Sequence, residues 1–352
     1  MKISVQCLYK LVKQLYMEVE DRRIACEGRE IEMAATLTDV ARRAGVSIAT
    51  ASRAFGEPDR LAPNTLGRVL EAAGELGYAA SQSATATRTF GVVVPDVANP
   101  VYATLLKAIQ GQAWHGRHRI VLFDADEDLR RERDQIEQAR KLDGMLLCSP
   151  RLPDADVLEL VGDTPYVIVN RQIDGAPCVL MDTEHGPSQA IEHLAALGHT
   201  HIAYAAGPRG SWADARRADT VARACERHGI RLTGLSHHAA SIQGGRAAAA
   251  PAAASGATAV IAYNDLVALG LEAGLLELGK RCPADISIVG IDDIDLAGAV
   301  TPALTTVRMP IERSGALAVD LLLQAMNGTA IDDVVTLGSQ LIVRASTAAP
   351  AA

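Results

Sequence analysis

Long apolar runs are missing from this 352-residue chain: no run of about 18 uncharged apolar residues occurs, the length a helix needs to cross a bilayer. The opening segment, residues 1–29, mixes Lys, Arg, Glu and Asp among its apolar positions, which is not the texture of an export signal. Neither membrane attachment nor secretion is expected, and the reading is a cytoplasmic protein. Paired cysteines are missing too. Cys7, Cys26, Cys148, Cys178, Cys225 and Cys282 are scattered and form no C-x-x-C pair, so neither a zinc site nor a disulfide framework is suggested. No G-x-G-x-x-G follows the apolar run at Gly91, and no Ser/His/Asp nucleophile motif occurs, so a dinucleotide site and a hydrolase are both unsupported. Gly274-Leu-Leu-Glu-Leu-Gly-Lys280 imitates a phosphate-binding loop, but Arg281 stands where Ser or Thr is required. Gly279 reads better as the cap of an apolar-periodic helix. His193, His199, His201, His237 and His238 lack acidic or cysteine neighbours at metal spacing, and surface or turn placement is expected for them. No catalytic group, cofactor or metal is expected, and the chain is not read as an enzyme.

The chain does have enough apolar material, 49% of residues, to bury a sizeable core in two or more domains. Its net charge of -8 is unevenly spread. Residues 34–90 carry six Arg against five acids, whereas residues 91–352 carry 22 bases against 31 acids. The near-neutral small part suits DNA contact if its arginines share one face, because clustered charge drives phosphate binding.

Residues 34–78 read as three short helices with a break at Gly45. From Ser81 to Thr89 a Ser, Thr and Ala stretch reads as a linker, or as a helix that forms only with support. Then the texture changes. Short apolar runs start at Gly91, Arg119, Gly144, Tyr166, His201, Ala259 and Ile286, separated by helical patterns, which means βαβ units and parallel sheets. Ligands of such sheets bind beyond the strand carboxyl ends. Those positions hold Asp96, Asn99, Ser149, Asn170, Arg171, Asn264, Asp265, Asp292 and Asp293. Each can be a helix cap or turn residue. Together they also make a polar pocket suited to hydroxyl-rich ligands.

The segment from Thr36 to Phe55 is the most informative. Val40, Ala41 and Ala44 form the inner face of one helix, and Gly45 allows a left-handed turn. Ser47 can cap a second helix with Thr50, Ala51 and Ala54 inside. Ile48, Ala49, Ser52 and Arg53 then point outward near that helix's start, where a recognition helix meets base edges, and Arg53 is the best base reader among them. Helix hairpins with glycine turns occur in other folds as well.

With Leu76-Gly77-Tyr78 closing a third helix and Gly91-Val-Val-Val-Pro-Asp-Val-Ala-Asn-Pro opening the large part, the chain resembles the lactose repressor (LacI/GalR) family of bacterial regulators. Further matches are Leu197-Gly-His-Thr-His-Ile-Ala, Tyr263-Asn-Asp-Leu-Val-Ala-Leu-Gly, Asp285-Ile-Ser-Ile-Val-Gly-Ile-Asp-Asp and Pro302-Ala-Leu-Thr-Thr-Val. The resemblance covers nearly everything from Met33. It implies an all-α helix-turn-helix headpiece (34–80), a hinge (81–90) and a periplasmic-binding-protein-like α/β core of two parallel-sheet subdomains (91–350). The first subdomain is expected at 91–181 and 309–338, the second at 182–308 and 339–350. The implied function is a repressor of carbohydrate-utilisation genes, a homodimer on palindromic operator DNA under allosteric control by a sugar. The alternative is a sugar-binding protein with weak or vestigial DNA binding.

The DNA-contacting set implied is Thr36, Ser47, Ile48, Ala49, Thr50, Ser52, Arg53, Asn64 and Thr87. The effector set is Tyr102, Asn170, Arg171, Trp212, Arg217, Asn264 and Asp292, with Val101 nearby. Arg217 and Asp292 can each hold two adjacent hydroxyls and Asn264 adds an amide, while Tyr102 and Trp212 either stack on a sugar face or pack in the core. The chain departs from the family at three places. Thr87 stands where a hinge leucine usually wedges into the minor groove, with no Leu between Tyr78 and Phe90. Thr220 replaces a common Gly. Residues 1–33 have no family counterpart, so translation is expected to start at Met33; an amphipathic helix from Val5 to Val19 is the other reading. With no leucine-rich heptad tail, a dimer is favoured over a tetramer.

Overall fold

The computed structural model describes residues 37–47, 50, 51, 54, 61–76, 87–328 and 334–351, in two compact units, Met1–Ala86 and Thr87–Ala352. The expected extension 1–33 and hinge residues 81–86 lie outside the described residues, as do Thr36, Ile48, Ala49, Ser52 and Arg53.

In the first unit, α1 (Leu37–Ala44) carries Asp39 in its first turn and Arg42 and Arg43 in its last, the arrangement that complements a helix dipole. Its apolar stripe, Val40, Ala41 and Ala44, is buried against Ala51 and Ala54 of the next helix and against Val69, Ala72 and Ala73 of α2 (Pro63–Glu75). Side chains this small let three short helices pack closely. Gly45 takes φ +64°, and Val46 N–H closes the turn onto the Ala41 carbonyl at 3.0 Å. Arg68 of α2 donates to the carbonyl of Ala44 at 2.7 Å, satisfying a helix-end acceptor and fixing the angle between α1 and α2.

Among the described residues, the second unit holds two six-stranded sheets. One is ordered β11-β5-β4-β3-β1-β2 and comprises β1 (Thr89–Val94), β2 (Arg119–Asp124), β3 (Gly144–Cys148), β4 (Tyr166–Val169), β5 (Cys178–Met181) and β11 (Val334–Leu337). The other, β12-β10-β9-β8-β6-β7, comprises β6 (His201–Ala205), β7 (Arg231–Gly234), β8 (Ala259–Ala262), β9 (Ser287–Asp292), β10 (Thr305–Arg308) and β12 (Gln340–Ile342). All pairings are parallel except β10 with β12. The chain passes between the sheets after β5, after β10 and between β11 and β12.

Helices cover both faces of each sheet, as buried parallel strands require. On the first sheet, α3 (Pro100–His115) and α11 (Ile311–Met326) pack together on one side, with α4 (Leu129–Ala139) and α5 (Asp154–Val161) on the other. On the second, α6 (His185–Ala196) and α7 (Trp212–Arg227) face α8 (Ile242–Ala254) and α9 (Asp265–Glu277) across the strands; a short α10 (Asp295–Ala299) follows β9. One apolar cluster, from Phe90 and Leu146 to Ile202 and Val221, is continuous through both halves. Close approach of α8 and α9 depends on glycine: a Cβ at Gly245 would stand 2.1 Å from the Val267 carbonyl oxygen, and one at Gly270 2.0 Å from that of Ile242.

Several expectations need correction. The first strand begins at Thr89, inside the stretch expected as hinge, and Asp292 is the last residue of β9 instead of following it. Strands β5, β7, β10, β11 and β12 were not anticipated. His199 is buried, not a surface residue: its Nδ1 meets Thr258 Oγ1 at 2.8 Å and its Nε2 the Ala348 carbonyl at 2.9 Å. The phosphate-loop imitation is the end of α9, where Gly279 takes φ +74° and Lys280 N–H returns to the Leu275 carbonyl.

Candidate functional site

In the helical unit, Ser47 does what its position after Gly45 predicts. Its Oγ accepts from Thr50 N–H at 3.1 Å and lies 2.8 Å from Thr50 Oγ1, so cap and first turn are locked together. Ser47 is exposed and Thr50 half-buried. Asn64, in the first turn of α2, is exposed, as is Thr87, which is not helical.

In the α/β unit the strand carboxyl ends of the two sheets face each other across a cleft, and polar side chains meet there. Arg217, one turn and a half into α7, is 3% exposed. It donates from Nη1 to the Tyr263 carbonyl at 2.7 Å, lies 5.1 Å from the Tyr263 ring centroid, and presents Nη2 to Asp292 Oδ1 at 3.5 Å. Its Nε is buried without a partner. Burial pushes the Asp292 carboxyl up to about 7, although Arg217 beside it pulls the other way. Asp292 and Asp293 take φ 123° and 60°, backbone that side chains rarely adopt. The fully buried Asp265 holds this turn by accepting from Ile294 N–H at 2.9 Å and the Thr306 hydroxyl at 2.5 Å. Asp293 is clamped by Arg308 Nε at 2.7 Å and Arg344 Nη2 at 2.5 Å.

The opposing wall is built from the ends of β3 and β4. Asn170 takes φ 61° and donates from Nδ2 to Ser149 Oγ at 3.1 Å, leaving its Oδ1 buried and unpartnered. Tyr102, on α3, is buried, and desolvation raises its hydroxyl above the ordinary phenol range despite the nearby Arg151 and Ser149. It belongs to the apolar core by its ring and to this polar cluster by its hydroxyl.

The other expected residues divide. Asn264 is 1% exposed and its Oδ1 caps α9 by accepting from Val267 N–H at 2.9 Å. Arg171 turns into the first subdomain, donating Nη1 to the Pro150 and Leu152 carbonyls at 2.7 Å each and pairing with Asp154. Its Nε is left buried and unpartnered. Trp212 opens α7, half-buried against the core of the first sheet, with the Arg216 guanidinium 5.8 Å from its ring centroid.

Sequence reasoning missed Arg151, Tyr263 and Asp214. Arg151 makes a two-point contact with Glu127 (3.1 and 3.0 Å) and donates to the Ser149 carbonyl at 3.0 Å. Asp214 Oδ1 accepts from the Tyr204 hydroxyl at 2.9 Å and Gly207 N–H at 2.8 Å. Tyr263 directly follows β8 and Arg151 comes three residues after β3, nearer than Asn99 is to β1, so the strand-end rule could have marked both; Asp214, nine residues past β6, carried no such signal.

Cavities among the described residues open on this region. One of about 490 Å³ lies between Asp96, Asn99 and Glu127 on one side and Arg209 and His237 to Ser241 on the other. A second, about 480 Å³, lies beside Arg171, Trp212, Asp214 and Leu235. A third, about 330 Å³, is lined by Asp292, Asp293, Arg308 and Thr104. Volumes of a few hundred Å³ with a few convergent polar groups are those of small-molecule sites.

Comparison with known proteins agrees with both units. The profile "Bacterial regulatory proteins, lacI family" matches residues 36–81, and that for a periplasmic binding protein-like domain matches residues 191–347. The HTH-type transcriptional regulator GalS of Salmonella typhimurium LT2 is 32% identical over 308 residues, covering 84% of this chain and 91% of that protein. The crystal structure of the lac repressor dimer bound to operator and the anti-inducer ONPF superposes with TM-score 0.69 at 28% identity, covering 90% of this chain and 99% of the other. A LacI family regulator from Enterococcus faecalis V583 with bound ribose superposes with TM-score 0.68 at 29% identity, covering 74% and 99%.

Proposed function

Because the chain belongs to the lacI family of bacterial transcription regulators, we propose that it represses carbohydrate-utilisation genes in the cytoplasm, binding a palindromic operator as a homodimer until a sugar occupies the cleft. It is a regulator and not an enzyme. The observation that carries the sugar reading is that Arg217 Nε, beside the buried Asp292, and Asn170 Oδ1, just after β4, are both buried without partners. A buried donor and a buried acceptor without partners are costly, and a hydroxyl group, which donates and accepts at once, satisfies both kinds. Asn264 and Tyr102 complete the site, the first by its amide and the second by its hydroxyl.

In the helical unit Ser47 and Thr50 set the start of the reading helix, so that Ile48, Ala49, Ser52 and Arg53 address base edges. Thr36, Asn64 and Thr87 serve the phosphate backbone and the hinge. The sugar acts by differential affinity: it favours the closed cleft, closure shifts the first subdomains across the dimer interface, and the spacing of the two headpieces changes.

The test is a fluorescence anisotropy titration of the full-length protein against its own upstream intergenic DNA, at several salt concentrations, with and without a panel of pentoses and hexoses. Salt-dependent, sequence-specific binding that one sugar alters is the expected result. Specific binding that no sugar alters refutes sugar control. Sugar binding without specific DNA binding leaves a sugar-binding protein whose leucine-free hinge has lost the DNA function.

A further inference from the structure

We propose that the effector is a two-part ligand, a sugar ring carrying a flat and mostly apolar group, and that the compartment beside Trp212 receives the second part. The inference rests on the sugar reading above and narrows it.

The compartment of about 480 Å³ is separate from the pair of Arg217 and Asp292, neither of which lines it. It nevertheless adjoins that pair: Ser211, which lines it, has its Oγ 3.2 Å from the Tyr263 hydroxyl, and the Tyr263 carbonyl accepts from Arg217 at 2.7 Å. Its walls are largely hydrocarbon, from Ala206, Pro208, Trp212, Ala215, Ala218 and Leu235. A Cβ on Gly210 or Gly234, two further lining residues, would meet nothing within 4 Å, so the space beside them is open.

The polar groups of the compartment are already committed. Asp214 Oδ1 serves Tyr204 and Gly207, and Ser211 Oγ caps α7 and meets the Tyr263 hydroxyl at 3.2 Å. His237 Nδ1 is held at 3.0 Å by the Gly207 carbonyl. What remains is Arg171 Nε, buried without a partner while both terminal nitrogens are occupied, Asp214 Oδ2, 3.5 Å from His237 Nδ1, and His237 Nε2 at a half-exposed side chain. Apolar walls with only a few unspent polar atoms fit a flat ring bearing one or two polar atoms. A second sugar ring fits less well, since most of its several hydroxyls would be buried against hydrocarbon with few fixed groups to answer them.

The experiment is calorimetric titration of the full-length protein with matched probes: each hexose as its methyl and its 4-nitrophenyl glycoside and as a disaccharide, and ribose against uridine and adenosine. For the sugar recognised, the aromatic derivative should bind at least about ten-fold tighter than the methyl glycoside or free sugar. Whether a nitrophenyl glycoside or a nucleoside shows the gain names the source of the flat group. Ala215→Trp, which places bulk at an exposed position on the compartment wall, should abolish that gain and leave methyl glycoside affinity unchanged. Equal binding of methyl and aromatic forms overturns the proposal while the sugar reading stands, and so does a disaccharide gaining as much as the aromatic form. No binding of any sugar in any form removes the reading underneath it and the proposal together.

Discussion

Arg217 Nη2 stands 3.5 Å from Asp292 Oδ1, with the two side chains only 4% and 8% exposed. The gap is longer than a good charge-assisted hydrogen bond, so the pair is close enough to neutralise but not to saturate. Each partner keeps capacity for a third group, and that spare capacity is what a sugar hydroxyl would use.

Arg217→Lys keeps the charge and loses the fork. The Tyr263 carbonyl and Asp292 cannot both be reached by one ammonium in the same geometry. Removing a hydrogen bond to a charged group costs about 1.5–3 kcal/mol, so sugar affinity should fall roughly 10- to 150-fold. Calorimetry with the sugar chosen by screening measures this, and affinity within a factor of two of the parent would remove Arg217 from the site.

Asp292 predicts a pH dependence of known sign. Burial lifts its carboxyl from the ordinary 3.8 to about 7, so over that interval the folded protein holds a proton that the unfolded chain has released. The stabilisation linked to this group is fully present below about pH 4 and is lost as pH rises through 7. Asp292→Asn carries no such proton. Its melting temperature relative to the parent should therefore climb steadily between about pH 5 and pH 7.5. A flat difference across that range would show that Asp292 is ionised throughout.

Gly207 lies directly beneath the Tyr263 ring, and a Cβ there would approach ring atoms to between 2.4 and 2.7 Å. Gly207→Ala must therefore push Tyr263, and with it the carbonyl and ring that hold Arg217. Overpacking of this kind costs about 1–3 kcal/mol. Thermal unfolding should report that loss, together with weaker sugar binding; stability lost without any change in binding would mean that Tyr263 moves independently of Arg217.

Ser47→Ala removes the hydroxyl that caps the reading helix and meets Thr50. About 1 kcal/mol of local stability goes with it. Hydrogen exchange in the full chain should quicken at residues 50–54 and stay unchanged in the α/β unit, with operator affinity lowered. Unaltered exchange would show that the Ala51 and Ala54 packing alone holds the helix.

Strands were legible where apolar residues run together in most cases, as in β1, β3, β4, β8 and β9, though the equally apolar four-residue β5 was missed, and β10 was illegible because its burial is achieved with polar side chains. Thr305 and Thr306 of β10 are fully buried. Thr305 N–H is satisfied by Ser346 and the Thr306 hydroxyl by Asp265, partners far away in sequence that no window of residues reveals. The same limit applied to Arg171. Its place after a strand marked it as a pocket residue, and it lines the cavity beside Trp212, but nothing local showed that its terminal nitrogens are spent on Pro150, Leu152 and Asp154. Headpiece packing, by contrast, followed from spacing alone, because Val40, Ala41 and Ala44 needed only a helical period and a glycine turn to find their partners.

The return of the chain to its first sheet has a consequence for synthesis. β11 pairs with β5, Val334 opposite Cys178, although nearly the whole second sheet is made between them. Until β11 emerges from the ribosome, β5 presents an open strand edge, with Val179 and Leu180 ready to pair with whatever extended segment is near. Closing that edge is a late, long-range event, so nascent and truncated chains should be the aggregation-prone species, and a cell making this regulator has reason to protect it until translation ends.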